Sequence, residues 1–412
     1  MGRPHVRTEL DAVIGHKVRN RLSKQIRGWF YRDEGAFVIF ENPIHPVHLC
    51  RYVLFLTAAL LVFNAFVLAN DSGKTLERSV VKLADGIYTI RHKDAPDTFP
   101  QGNTTVIIGD REVLVVDSCY LPSSAREDIA EIRRWTNKPV RYLVNTHWHF
   151  DHTMGNGTYW EAFPGLNIVA HMETARQSSG YNPGWFERFP KRGDRLKQIL
   201  EAGKDGNGKV LTEGERTEYE EAIAGIAPVQ EEFKNIVDRA PTLTFDSEMR
   251  IDLGNREVRV MHLGRGNTAG DAIIFLPKEK IIMTGDLVVH PVPYMFGGYP
   301  KDFGVTLRRL DLLNFETMIP GHGEVMRTDK ARAYTRLLIE FIETVTEQVS
   351  KEAHRVGSGA ANLPAVREAV QKNIDVASWR KRFAGESKDE QDAFDTTFAA
   401  MITAAHAEIN GR

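Results

Sequence analysis

The sequence predicts an α/β (α+β) fold in which two β-sheets are faced by helices. Three observations predict it. Short β-branched runs bounded by turn residues come first, a helical stretch interrupts them, and strands and helices then recur to the end. The 412 residues are 42% hydrophobic and 26% charged, so the chain can bury a sizeable core. A formal net charge of −2 gives no electrostatic reason to expect nucleic acid as a partner.

Residues 1–51 form a basic leading segment, with nine Lys/Arg against five Asp/Glu. Residues 52–69 (YVLFLTAALLVFNAFVLA) follow without a single charge. A basic flank, a short apolar run and small residues at its end read as a secretory signal. Eighteen residues is also the lower edge of a spanning helix, so an uncleaved anchor is the rival, and a core helix the third reading. Either exported reading places the remainder outside the cytoplasm, periplasmic or secreted. Membrane contact is then confined to 52–69, if that segment is uncleaved.

From residue 70 the pattern is that of a soluble domain, extending to 328. Strand-like runs lie at 80–90, 104–108 and 113–116, parted by Asp85-Gly86 and Gly109-Asp110. A helix is expected from Ser123 or Ser124, where serine can cap it, to Trp135. The run 140–145 leads straight into Thr146-His147. Further strands are expected at 167–170, 243–245, 258–261, 272–276 and 281–283. Residues 185–240 turn Glu/Lys-rich and read as a helical insertion with a Gly-rich centre. Asp205 and Asn207 have calcium-like spacing, but Lys209 and Val210 stand where an EF-hand needs other residues, so a polar helix–turn–helix is expected. Residues 329–412 are helical and amphipathic, to cover a sheet face or mediate dimerisation.

Two cysteines, Cys50 and Cys119, cannot build a thiolate zinc cluster, so any bound metal must take its ligands from histidines and carboxylates. The segment Thr146-His147-Trp148-His149-Phe150-Asp151-His152 offers them. Leaving a strand, His147 and His149 alternate to one side and can address one ion, while Asp151 and His152 can face a second. Imidazole nitrogen and carboxylate oxygen are what zinc accepts without thiolates. Asp286, in Thr284-Gly285-Asp286, ends a strand; His322, in Pro320-Gly321-His322-Gly323, sits in a glycine-framed turn.

In their order, H-x-H-x-D-H, G-x-G-x-T, T-G-D and P-G-H-G, these motifs make the chain resemble the metallo-β-lactamase superfamily over about residues 78–327. The resemblance implies an αββα sandwich with one or two Zn2+ at an edge between the sheets. It implies that His147 and His149 bind the first zinc, that Asp151, His152 and His322 bind the second, and that Asp286 bridges them. Asp117, ending the strand VLVVD, corresponds to an aspartate that orients a ligand from behind. One position departs. Asn267, in Gly264-Arg265-Gly266-Asn267-Thr268, stands where the family has a histidine ligand, and a carboxamide is a poorer zinc ligand. The first site is therefore expected to be weak or absent. His262 could substitute; His171 and His290 read as structural.

The activity implied is that of a zinc-dependent hydrolase, a metal-activated hydroxide attacking an amide- or ester-type bond, with Asp151 and Asp286 as catalytic carboxylates. Export favours a small-molecule substrate such as a β-lactam or another cyclic amide or ester. The alternatives are a phosphodiester or sulfate ester hydrolase on the same fold, or a zinc-binding protein without catalysis. Tyr181, Trp185, Phe186 and Phe189 could line a pocket or pack the insertion; Tyr294, Phe296 and Tyr299 are further candidates. Oligomeric state has no signature in the sequence.

Overall fold

The computed structural model describes residues 77–410, except 205–209, 235 and 296; the side chains of 179–188, 190, 218 and 389 are likewise not described. Residues 1–51, the apolar run 52–69, the calcium-like loop residues Asp205, Asn207 and Lys209, and Phe296 therefore lie outside the described residues, as do the side chains of Tyr181, Trp185 and Phe186. Among the described residues no helix is long and apolar enough to cross a membrane.

The fold is an αββα sandwich with added C-terminal helices. The first sheet holds β1 (Ser79–Ala84), β2 (Ile87–Arg91), β3 (Thr104–Ile108), β4 (Val113–Val116), β5 (Val140–Val144), β6 (Asn167–His171) and β7 (Leu243–Phe245), in that spatial order. Strands β1 to β4 pair antiparallel and β4 to β7 parallel. The run 80–90 thus folds back as a hairpin at Asp85-Gly86. The second sheet has the order β13 (Met326–Arg327), β12 (Thr317–Ile319), β11 (Ile281–Met283), β10 (Ile273–Leu276), β9 (Glu257–Met261), β8 (Glu248–Asp252). Here β11 and β12 run parallel and the other pairs antiparallel.

Strand β4 shows why the layers stack as they do. Its four residues are all apolar and all buried. With period two, Leu114 and Val116 join the core between the sheets, where they meet Val258, Ile274 and Met283. Val113 and Val115 face the other way, onto Ala125, Ile129 and Ile132 of helix α1 (Pro122–Trp135). Each such side chain taken fully from water contributes about 1.5–3 kcal/mol. A strand that is apolar on both faces needs cover on both, which is what the sandwich supplies. The cap of α1 differs from expectation. Leu121 is the N-cap and Pro122 opens the helix, so proline's fixed φ rather than a serine hydroxyl starts it. Ser123 instead bonds Glu232 through its backbone N–H and its hydroxyl, at 2.8 and 2.7 Å.

Short helices α2 (Phe150–Thr153) and α3 (Asn156–Ala162) follow β5. The insertion between β6 and β7 comprises α4 (Met172–Ala202) and α5 (Glu213–Phe233), beginning earlier than composition indicates. Gly203, at φ +64, ends α4 in the left-handed region, and a reciprocal Thr212–Glu215 capping box starts α5. Phe189 packs on Phe233, at 5.0 Å between centroids, in a core that the insertion shares with Phe99, Tyr120 and Phe150.

Beyond the second sheet lie α6 (Pro300–Asp311), α7 (Thr328–Val356), α8 (Leu363–Asn373), α9 (Val376–Ala384) and α10 (Lys388–Ile409). Their apolar stripes share one core with Ile273, Phe275, Ile282 and Met318 of that sheet. The C-terminal helices therefore cover a sheet face. They also reach the loop after β11: the Tyr334 hydroxyl bonds the Val289 and Pro291 carbonyls at 2.6 and 2.8 Å, and Thr397 bonds the Pro293 carbonyl at 2.8 Å.

Candidate metal centre

The site forms where two parallel strand pairs, one from each sheet, end. In the first sheet β4 ends before Asp117 and β5 before Asn145, Thr146 and His147. In the second, β11 ends before Thr284-Gly285-Asp286 and β12 before Pro320-Gly321-His322. Ligands collect beyond the carboxyl ends of parallel strands because the backbone there is free to turn inward. The Ala272 N–H donates to the Thr146 carbonyl at 2.7 Å and fastens the two sheets at this edge.

The structure brings His147, His149, Asp151, His152, Asp286 and His322 together. Ligand atoms of Asp151, His152, Asp286 and His322 lie within 4.8 Å of one another, and so do those of His147, His149 and Asp286. His152 Nε2 is 3.1 Å from His322 Nε2 and 3.3 Å from Asp286 Oδ1. His322 Nε2 is 3.0 Å from Asp151 Oδ2. His147 Nε2 stands 3.6 Å from Asp286 Oδ2, so Asp286 faces both groups. Two polar atoms, His147 Nε2 and Asp286 Oδ1, are buried without a hydrogen-bond partner. Buried polar groups are seldom left so, because each orphan costs about 1–3 kcal/mol. Asp286 Oδ1 faces the His152 and His322 group and His147 Nε2 the other, so a cation in each group would satisfy the atom beside it. The residues present fit a metal.

Electrostatics agree with that arrangement. Burial, reinforced by the neighbouring imidazoles, pushes His147 well below the ordinary histidine range. His149 is also lowered, by burial first, and both rings are therefore neutral donors at neutral pH. Burial would raise Asp151 and Asp286, but the His152 and His322 imidazoles outweigh it and hold both carboxyls below their usual values. His152 is driven the other way: burial opposes its charge, yet Asp286, Asp151 and Asp117 raise it well above the ordinary value. The charge of Asp151 and Asp286 on the Nε2 side of that ring is what a cation held there would neutralise.

Asp117 sits directly behind His152, its Oδ2 accepting from His152 Nδ1 at 2.9 Å. The same carboxylate accepts from the Thr146 N–H and hydroxyl, each at 2.8 Å. Its φ of +58 is uncommon for a residue with a side chain and costs of order 1–3 kcal/mol, so these bonds hold a strained backbone in place. Asn267 lies beside the first group, its amide nitrogen 3.4 Å from His149 Nδ1 and its side chain buried. His262 does not join the centre. It stacks on His171 at 4.0 Å, and its Nδ1 bonds the Asp271 carbonyl at 2.8 Å. His290 packs against Tyr334 at 5.0 Å. Tyr294 contacts the His322 ring at 5.6 Å, and Tyr299 receives the Arg265 guanidinium at 4.4 Å.

Sequence reasoning passed over Gln101, Gly102 and Asn103, which precede β3 and have the composition of an ordinary turn. Gly102 has no room for a side chain, since a Cβ there would meet the His152 ring at 2.5 Å. A further cluster, His92, Cys119 and Asp128, has metal-like composition and full burial. It is already satisfied: His92 bonds the Gly102 carbonyl and Asp128 at 2.8 and 2.9 Å, and the Arg78 guanidinium is 3.0 Å from Asp128. A cation there would face that guanidinium.

Comparison with known proteins places this geometry. The family described as the metallo-beta-lactamase superfamily matches residues 97–322. A linear primary-alkylsulfatase of Pseudomonas sp. is 22% identical over 245 residues, covering 57% of this chain and 44% of that protein. The structure of a stereoselective inverting sec-alkylsulfatase from Pseudomonas sp. superposes with a TM-score of 0.53 at 13% identity, over 80% of this chain and 50% of that one. A metallo-beta-lactamase from Pontibacter korlensis aligns with a TM-score of 0.46 at 16% identity, over 65% of this chain and 99% of that one. The chain spans about half the length of the two alkylsulfatases.

Proposed function

Because the chain belongs to the metallo-beta-lactamase superfamily, we propose that it is a zinc-dependent hydrolase acting on an ester-type bond of a small molecule, with an alkyl sulfate ester as the first candidate substrate. The observation that carries the reading is the convergence of His147, His149, Asp151, His152 and His322 on Asp286, with His147 Nε2 and Asp286 Oδ1 buried and without hydrogen-bond partners. The alkylsulfatase relatives support the ester class.

His152, His322, Asp151 and Asp286 would hold the better-bound zinc, and His147, His149 and Asp286 the weaker one, with Asn267 contributing little. Zinc, when bound, supplies Lewis acidity toward the scissile bond and toward the attacking water. The carboxylates of Asp151 and Asp286 would orient that water, and Asp151 would accept its proton, a role that requires it ionised. Asp151 then returns the proton to the leaving oxygen. Asp117 keeps the Nδ1 proton on His152, so that Nε2 remains a lone-pair donor.

A substrate panel tests this on the zinc-loaded full chain, with a linear alkyl sulfate, an aryl phosphodiester, a lactone and a chromogenic β-lactam. Sulfate release that stops on chelation, returns with zinc and falls about 10²–10⁴-fold in Asp151→Asn is the expected result. Turnover of the lactam without the sulfate ester would replace the substrate class. Zinc retention with no turnover of any substrate would favour the non-catalytic reading.

A further inference from the structure

We infer that Asn103 is a positioning residue for the second cation site, setting where His322 stands relative to Asp151 and His152. The inference rests on the metal-dependent reading above.

His322 and Asp151 are 171 positions apart in the chain, and their turns come from different sheets. Two consecutive residues, Gly102 and Asn103, join them. The Gly102 N–H donates to the Asp151 carbonyl at 3.1 Å. The Asn103 N–H donates to the Gly321 carbonyl at 2.7 Å. The Asn103 side-chain amide spends both hydrogens on the same turn, donating to the Pro320 carbonyl at 2.8 Å and the Gly323 carbonyl at 3.1 Å. Three donations thus bracket His322 from either side. The His290 N–H in turn donates to the His322 carbonyl at 3.1 Å.

The tie has its own anchorage, which makes it a template for the turn it holds. The Gly102 carbonyl accepts from His92, whose other nitrogen is fixed on Asp128. Gln101 donates to the Lys93 carbonyl and the Ser124 hydroxyl while accepting from the Leu121 N–H. Further upstream, Arg192 of α4 forms a buried ion pair with Asp97 and also donates to the Asp97 carbonyl at 2.9 Å. The insertion therefore grips one end of the segment whose other end grips His322. Among side chains as short as that of Asn103, only the amide offers two donors to two carbonyls. Ligand geometry must be held within a few tenths of an ångström, and partners behind a ligand commonly change metal affinity about 10–100-fold.

The test measures zinc affinity by chelator competition in the full chain, for wild type, Asn103→Ala and Asn103→Asp, together with the melting temperature of each metal-free protein. The expected result is an affinity at the tighter site weakened about 10-fold or more, with Asn103→Asp the worse because its carboxylate faces two carbonyl oxygens. The absorption spectrum of the cobalt-substituted protein should shift with it. Unchanged tight-site affinity and spectrum in a folded Asn103→Ala protein overturn the inference, even if its melting temperature falls. Should Asn103→Asp not fold, the Asn103→Ala comparison decides alone. Wild-type protein that binds no zinc would instead overturn the metal-dependent reading itself.

Discussion

At the residue scale, the site depends on atoms that touch no substrate. Asp117 accepts from His152 Nδ1 and from Thr146 while its own backbone is held at positive φ. Asp117→Asn preserves its shape but turns one acceptor into a donor. His152 must then carry its proton on Nε2, the nitrogen that faces Asp286 and His322. We predict that zinc affinity falls about 10–100-fold in Asp117→Asn, by chelator competition, with secondary structure unchanged by circular dichroism. An unaltered affinity would remove Asp117 from the ligand-orienting role. His147, His149, Asp151 and His152 were legible in the sequence because a strand end packs them into six positions. Asp286 and His322 were legible through their short turn motifs, and Asn267 through its place in a loop that otherwise fits. Asn103 and His92 were not, because what singles them out is contact with carbonyls and carboxylates far along the chain.

At the scale of elements, strands apolar on both faces, such as β4, could be read directly from composition. Strand β8 could not, since Ile251 is its one fully buried position and its charged neighbours mask the pairing with β9. The start of α1 was misplaced because serine is a common cap, whereas here Pro122 opens the helix and Ser123 is engaged by Glu232. Amphipathic stripes disclosed the C-terminal helices but not their target. That target is the outer face of the second sheet and the loop carrying Val289, Pro291 and Pro293. Deleting residues 328–412 should therefore expose Phe275, Ile282 and Met318 and yield an aggregating protein that binds a hydrophobic dye. A soluble truncated chain with a cooperative melt and unchanged zinc affinity would show that these helices are dispensable.

At the scale of the whole molecule, the arrangement follows from topology. Parallel pairs β4–β5 and β11–β12 end at one edge, and the loops beyond them deliver Asp117, His147, Asp286 and His322 to a common point. The two ligand groups share Asp286, and we propose that they differ in strength, because four protein donors serve one and Asn267 stands beside the other. Metal content measured across a range of free zinc tests this most directly. One zinc per chain retained through dialysis, a second bound only at higher free zinc, and two retained in Asn267→His are the results predicted. Two equally tight zincs in the unaltered chain, or no transition metal at any concentration, would contradict the account.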